Sequence, residues 1–193
     1  DAQGVDAVTG AYWSSAGEVA IGRPGEGGLV HGRTWINSGW RDWLAGTISS
    51  SGTKYSVSIG ARTETFTYSS PNFTSDQAVG STLIFNSGTN KYTYTTADGT
   101  VFVFNKALAT TGSTTNFWAS NEGSIETITQ PTGEITTYIY WTASAGGQTA
   151  IRPQSITNNL GYQIFFTYAI AKTPTTAAEV TGGYLTRTQA AGY

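Results

Sequence analysis

The sequence predicts an all-β fold: antiparallel hairpins stacked into a coiled or curved sheet, with almost no helix. Three observations predict it. Short runs rich in Thr, Val, Ile, Tyr and Phe alternate along the chain, as a pleated, half-buried surface requires. Gly-containing dipeptides punctuate those runs at hairpin spacing. A tandem repeat joins them: ITQPTGEITTYIY at 128–140 is echoed by ITNNLGYQIFFTY at 156–168, 28 positions later.

Taken in order, the first clear strands are 54–59 (KYSVSI) and 62–68 (RTETFTY), preceded by the turn residues Ser51-Gly52. Next come 82–86 (TLIFN) and 91–96 (KYTYTT), separated by Ser87-Gly88. Asp98-Gly99 then leads into 100–104 (TVFVF); between two β runs this dipeptide predicts a tight hairpin with both turn positions at positive φ. The strands 124–129 (SIETIT) and 134–141 (EITTYIYW) flank Thr132-Gly133, and 163–169 (QIFFTYA) follows Gly161. The one helical candidate is a turn near 176–180 (TAAEV).

Composition narrows the class. Aromatics at 13% can carry a core that a 38% hydrophobic share does not fill with aliphatics, because each ring hides a large area. Charged residues at 11% are about half the usual share, which with the aromatic content excludes a disordered chain. A net charge of -2 leaves no basic patch for nucleic acid. No apolar run approaches the roughly 20 residues needed to span a bilayer. With no Met, Asp1 is not an initiator position, so the chain is a processed product or a piece. Low charge, no Cys, no Met and a share of Ser plus Thr of about a quarter point to a bacterial surface or secreted β protein. The sequon Asn72-Phe73-Thr74 reads as an ordinary loop.

The repeat has three full units. Thr95, Thr129 and Thr157 each stand four residues before a glycine: Gly99, Gly133 and Gly161. An apolar residue precedes each Thr (Tyr94, Ile128, Ile156), and an aromatic follows each Gly by five residues (Phe104, Tyr138, Phe166). Two units add an aromatic at seven, Tyr140 and Tyr168. Each unit predicts one hairpin with the glycine at its turn, and stacked hairpins bury one another's aromatic faces. In YLTRTQAAGY at 184–193, Thr188 again precedes Gly192 by four. This reads as the opening strand of a fourth hairpin, with Tyr184, Leu185, Thr186, Thr188 and Tyr193 as candidates for a strand shared between subunits.

These units resemble the YD repeats of Rhs proteins, the teneurin-like repeats. The stretch holding Gly28-Leu29, Arg33-Thr34-Trp35 and Gly39-Trp40, with the opening Gly4-Val5-Asp6 through Thr9-Gly10, is similar to the region that precedes such repeats in bacterial Rhs proteins. The resemblance implies a single domain with a pre-repeat region at 1–90 and hairpin repeats at 91–193. It also implies coiled hairpins, often a large hollow shell that encloses a toxin or faces the cell exterior.

Little in the sequence suggests catalysis. The lone His31 excludes a multi-histidine metal site, and the absence of Cys excludes thiolate chemistry. His31 reads as a loop or rim residue in a Gly-rich stretch. GRPGEGG at 22–28 lacks the Gly-Lys-Ser/Thr ending of a phosphate loop. The carboxylates, Glu64 and Glu122 among them, are spread singly and read as solvated faces. No enzyme activity, cofactor or metal is expected. Trp35, Trp40 and Trp43 form the one cluster to weigh: a plug for one end of a β stack, or a platform for sugar rings.

The functional expectation is a structural, self-assembling subunit of a bacterial surface filament, joined to copies of itself by strand pairing. The alternatives are a fragment of a larger Rhs-type shell and a carbohydrate-binding β module. The expected partners are further copies of the chain and surface glycans, without nucleic acid or a membrane span.

Overall fold

The computed structural model of the protein describes residues 13–23, 26–36, 39–60, 62–109, 120–168, 174–182 and 185–192. These residues form an antiparallel all-β structure with one short helix. A small sheet, in the order β1-β2-β3, holds β1 (Trp13–Ile21), β2 (Leu29–Ile36) and β3 (Gly39–Asp42).

A larger sheet begins with the meander β4 (Gly46–Ser51), β5 (Lys54–Ile59), β6 (Arg62–Ser69) and β7 (Asn72–Ser75). It continues through β8 (Thr82–Asn86), β9 (Lys91–Thr95), β10 (Val101–Asn105) and, after one 3-10 turn at Lys106–Leu108, β11 (Gly123–Thr129). β11 is a branch point. One edge ladders to β10, while the other meets β4 through Gly123 and Ser124. The branch is crowded: a Cβ on Gly46 would lie 2.7 Å from Ile125 Cδ1, and one on Gly123 3.1 Å from the Asn105 carbonyl. Glycine at both positions lets the two strands approach.

Strands β4–β6 and β8–β11 share one aromatic core. Alternation puts Tyr92 and Tyr94 of β9, and Phe102 and Phe104 of β10, on the buried face. Ile48, Val57 and Phe66 bury against them with Ile125. Phe66 meets Tyr94 edge-on with ring centroids 6.0 Å apart, and Tyr55 lies 6.1 Å from Tyr92. Each fully buried Phe or Ile contributes roughly 1.5–3 kcal/mol. β7 approaches β8 without a ladder between them, so the curl stays open.

The repeats extend this sheet through β12 (Ile135–Ala145), β13 (Gln148–Asn158) and β14 (Tyr162–Tyr168). All three hairpins have one register: Thr95 opposes Val101, Thr129 opposes Ile135, and Thr157 opposes Gln163. Each turn closes by a glycine N–H donating to the carbonyl three residues back, at 3.0, 2.9 and 3.3 Å. The glycines have φ of +88°, +86° and +90°. Asp98 is not at positive φ, which corrects the expected two-residue turn. Here a turn is followed by a single left-handed residue, the arrangement of a G1 bulge, and only the glycine carries the conformational demand.

The aromatics five residues after the glycines, Phe104, Tyr138 and Phe166, are all buried. The aromatics at seven do a second job. Tyr140 Oη donates to the Ile125 carbonyl at 2.6 Å, and Tyr168 Oη to the Pro153 carbonyl at 2.9 Å. Both acceptors lie 15 residues upstream, so each hairpin is tied to its own opening strand by the same bond.

The helix α1 (Ala177–Gly182) starts at a capping box. Thr176 Oγ1 accepts the Glu179 N–H at 3.2 Å, and the Glu179 carboxylate accepts the Thr176 N–H at 3.2 Å. Strand β15 (Leu185–Gly192) then ladders to β14, with Thr188 opposite Phe166 and Leu185 opposite Tyr168. Thr186 falls at a register shift in that ladder. Tyr184 and Tyr193 lie outside the described residues.

Candidate functional site

Of the singled-out tryptophans, Trp35 and Trp43 do not form a buried plug. Trp35 is half-buried and faces Trp40 across β2 and β3 in the ladder; the Trp40 side chain lies outside the described residues. Trp43 is 37% exposed, and its indole N–H donates to Thr34 Oγ1 at 2.7 Å.

His31, Asp42 and Glu64, all expected at the surface, are buried instead. His31 is fully buried on β2, with Nε2 2.6 Å from Asp42 Oδ2 and its ring edge-on to Phe166 at 5.2 Å. The Leu44 N–H donates to the other Asp42 oxygen at 3.0 Å, so the carboxylate is held from both sides. This pair docks the small sheet onto β14. The Gly-rich context around His31 hides the strand pattern, which is why the residue reads as a rim position in the sequence.

Glu64 is 3% exposed and points into the curl of β4–β11. Tyr94 Oη donates to it at 2.7 Å, Ser75 Oγ donates at 2.9 Å, and Ser81 Oγ donates as well. Burial acts to raise its carboxyl, but the bonds from Ser81, Tyr94 and Ser75 and the charge of Arg62 outweigh it, so the group sits below the usual carboxylate range. Glu122 repeats the device one residue pair along β9. It accepts Ser50 Oγ at 2.6 Å and Tyr92 Oη at 2.8 Å, and Lys106 Nζ lies 3.1 Å away. Both carboxylates are filled with donors from the fold itself, which is the geometry of internal struts rather than of an acid–base pair awaiting substrate.

A feature of the described residues that opens to solvent lies elsewhere. A groove of about 530 Å³ crosses β12, β13, β14 and β15, lined by Trp141, Gln154, Phe165, Thr167, Tyr168 and Gln189 with Pro153 and Phe166. Gln154, Phe165, Thr167 and Gln189 are exposed, with Phe165 at 39%. Local irregularities shape it. The β12–β13 ladder shifts register between Ile139 and Tyr140, which leaves Gln154 as the extra residue, beside Pro153. Proline inside a sheet belongs at such a bulge, where its missing N–H is not needed. The β14–β15 ladder shifts between Thr167 and Tyr168. These two shifts, in the ladders on either side of β13–β14, both fall at residues beside or within the groove lining.

Arg152 sits under this wall. It is 5% exposed, lies opposite Trp141 in the ladder, and its guanidinium carbon is 5.5 Å from the centre of the Tyr168 ring. One of its nitrogens, Nη2, donates to the Val180 carbonyl in the last turn of α1, while Nη1 is buried without a hydrogen-bond partner. Burial holds the Arg152 pKa below its usual value.

None of this was legible as a site beforehand. Trp141, Gln154 and Gln189 are far apart in sequence, and only Pro153 inside a strand run signals a bulge. Among the described residues no group of three or more His, Asp or Glu converges as a metal site, and no helix is long and apolar enough to cross a membrane. No family model matches the sequence, and no curated protein matches it.

Proposed function

We propose that this protein is a structural, self-assembling subunit of an extracellular or cell-surface assembly, joined to copies of itself by strand pairing along β15. The observation that supports this reading is the place of β15 at the end of the larger sheet's strand order. β15 ends the series: its far edge has no ladder partner among the described strands, although β1 packs nearby. An edge of this kind is a template for another chain. Self-complementary pairing of two β15 edges closes a dimer, whereas pairing β15 with a different edge generates an open filament.

Electron microscopy of native material, with intact mass on the same sample, tests the reading. Filaments or dimers of a 20.4 kDa subunit support it. A much longer parent chain would favour a piece of a larger shell instead. Ala190→Pro and Ala191→Pro sharpen the test. Adjacent residues in an antiparallel strand point their N–H groups to opposite edges, so one proline breaks the β14 ladder and the other faces outward. The outward variant should keep wild-type unfolding and lose assembly. An assembly indifferent to both variants refutes β15 as the joint.

A further inference from the structure

We propose that the groove across β12–β15 binds an acidic oligosaccharide. Sugar rings would lie on Phe165 and Trp141, ring hydroxyls would bond Gln154, Gln189 and Thr167, and a carboxylate would be drawn to the wall charged by Arg152.

Three independent observations carry this. The first is shape. The register shifts in the β12–β13 and β14–β15 ladders both fall beside or within the groove lining. Bulges recur beside binding sites because they re-aim side chains. The volume of about 530 Å³ falls within the range of small-ligand sites.

The second is lining chemistry. The described lining residues are aromatic, amide, hydroxyl or proline, and none of these carries a charge. Amide side chains offer both donors and acceptors, which matches hydroxyls that do the same. Aromatic faces match the apolar face of a pyranose. Neighbouring strands repeat at about 4.8 Å, and a pyranose chain advances by a similar distance per ring, so successive rings can meet successive strands. A peptide would add along a sheet edge rather than cross the strands on a face. A nucleic acid would need Lys or Arg in the lining to meet its phosphates.

The third is charge. Buried arginines normally face a carboxylate. Among the described residues no carboxylate forms an ion pair with Arg152; its contacts are a helix carbonyl and the Tyr168 ring, and Nη1 has no acceptor. The wall therefore carries a buried positive charge, next to the lining residue Tyr168, that no described carboxylate neutralises. An anion in the groove is the complement it lacks.

Calorimetric titration of the full chain with trigalacturonate, and with α-1,4-galactotriose as its uncharged counterpart, tests the proposal. Trigalacturonate should bind about tenfold more tightly than the galactotriose, as a charge-assisted contact implies, and its binding should weaken as salt is added. Phe165→Ala and Gln154→Ala replace exposed side chains, so both variants should unfold as wild type while binding falls about tenfold. No binding of either sugar, or equal binding of both, overturns the proposal. So does binding that both variants leave intact. If instead the variants change the association state and no sugar binds, a second copy of the chain occupies the groove and the saccharide assignment is wrong. Because the β15 proline variants act on the backbone edge, their failure and the failure of this titration are separable.

Discussion

Replacing Glu64 by Gln keeps the side chain's shape and removes its charge. In the native protein three hydroxyls, from Ser75, Ser81 and Tyr94, converge on this carboxylate, and Arg62 lies 3.7 Å from it. A hydrogen bond to a charged group contributes about 1.5–3 kcal/mol, roughly twice a neutral one. Neutralising the acceptor of three such bonds should therefore cost about 2–4 kcal/mol. The Tyr94 phenol is pushed up to about 12, by burial first and then by its bond to Glu64, so it remains a donor through the assay range. Urea unfolding at pH 7 measures the loss. The pH profile checks the cause. The folded Glu64 carboxyl lies below the usual range, so its contribution is fully present above the unfolded value of about 4.3 and disappears as pH falls through the folded pKa. Wild type and Glu64→Gln should differ most at neutral pH and converge in acid. A loss below about 1 kcal/mol, or a constant gap from pH 7 to pH 3, would refute the claim that these hydroxyls hold a buried carboxylate.

Two further predictions concern the repeat hairpins and the junction of β4 with β11. Tyr140→Phe and Tyr168→Phe each delete one hydroxyl bond to an upstream carbonyl and should each cost about 0.5–1.5 kcal/mol in urea unfolding; no loss at either site would mean the repeated bond is incidental. Glycine replacements separate strain from crowding. A Cβ on Gly133 meets nothing within 4 Å but must adopt φ of +86°, so Gly133→Ala should cost about 1–2 kcal/mol and Gly133→Asn distinctly less. Gly46→Ala drives its methyl against Ile125 instead, at a cost of about 1–3 kcal/mol, with no relief from Asn. Equal behaviour at the two sites in thermal melts would contradict this division.

The repeat was legible because it is local. A Thr four residues before a Gly, with an aromatic five after it, specifies a turn, a register and a buried face within about fifteen residues. Pleat alternation then does the rest. The helix was legible for the same reason, since Thr176 and Glu179 form their capping box within one turn. The strands β1–β4 and β13 were harder, because Gly-rich runs and Pro153 blur the period-two pattern. The turn at Asp98-Gly99 is legible in its position but not in its conformation, since the same dipeptide serves two turn classes that differ by one residue in loop length.

By itself the sequence determined an antiparallel all-β chain built of hairpins, the places of their turns, and that the repeat aromatics pack within the sheet. These follow from steric and periodic rules that act between near neighbours. Only the tertiary structure decided that β11 branches to meet β4, and that Glu64 and Glu122 end inside the curl rather than in solvent. It also decided that His31 and Asp42 lock the small sheet onto β14, and that Trp141, Gln154, Phe165 and Gln189 line one groove over a buried Arg152. Each of these joins residues that are distant along the chain. Which distant partners meet depends on how the whole sheet twists and bends at its bulges, and no local pattern encodes that sum.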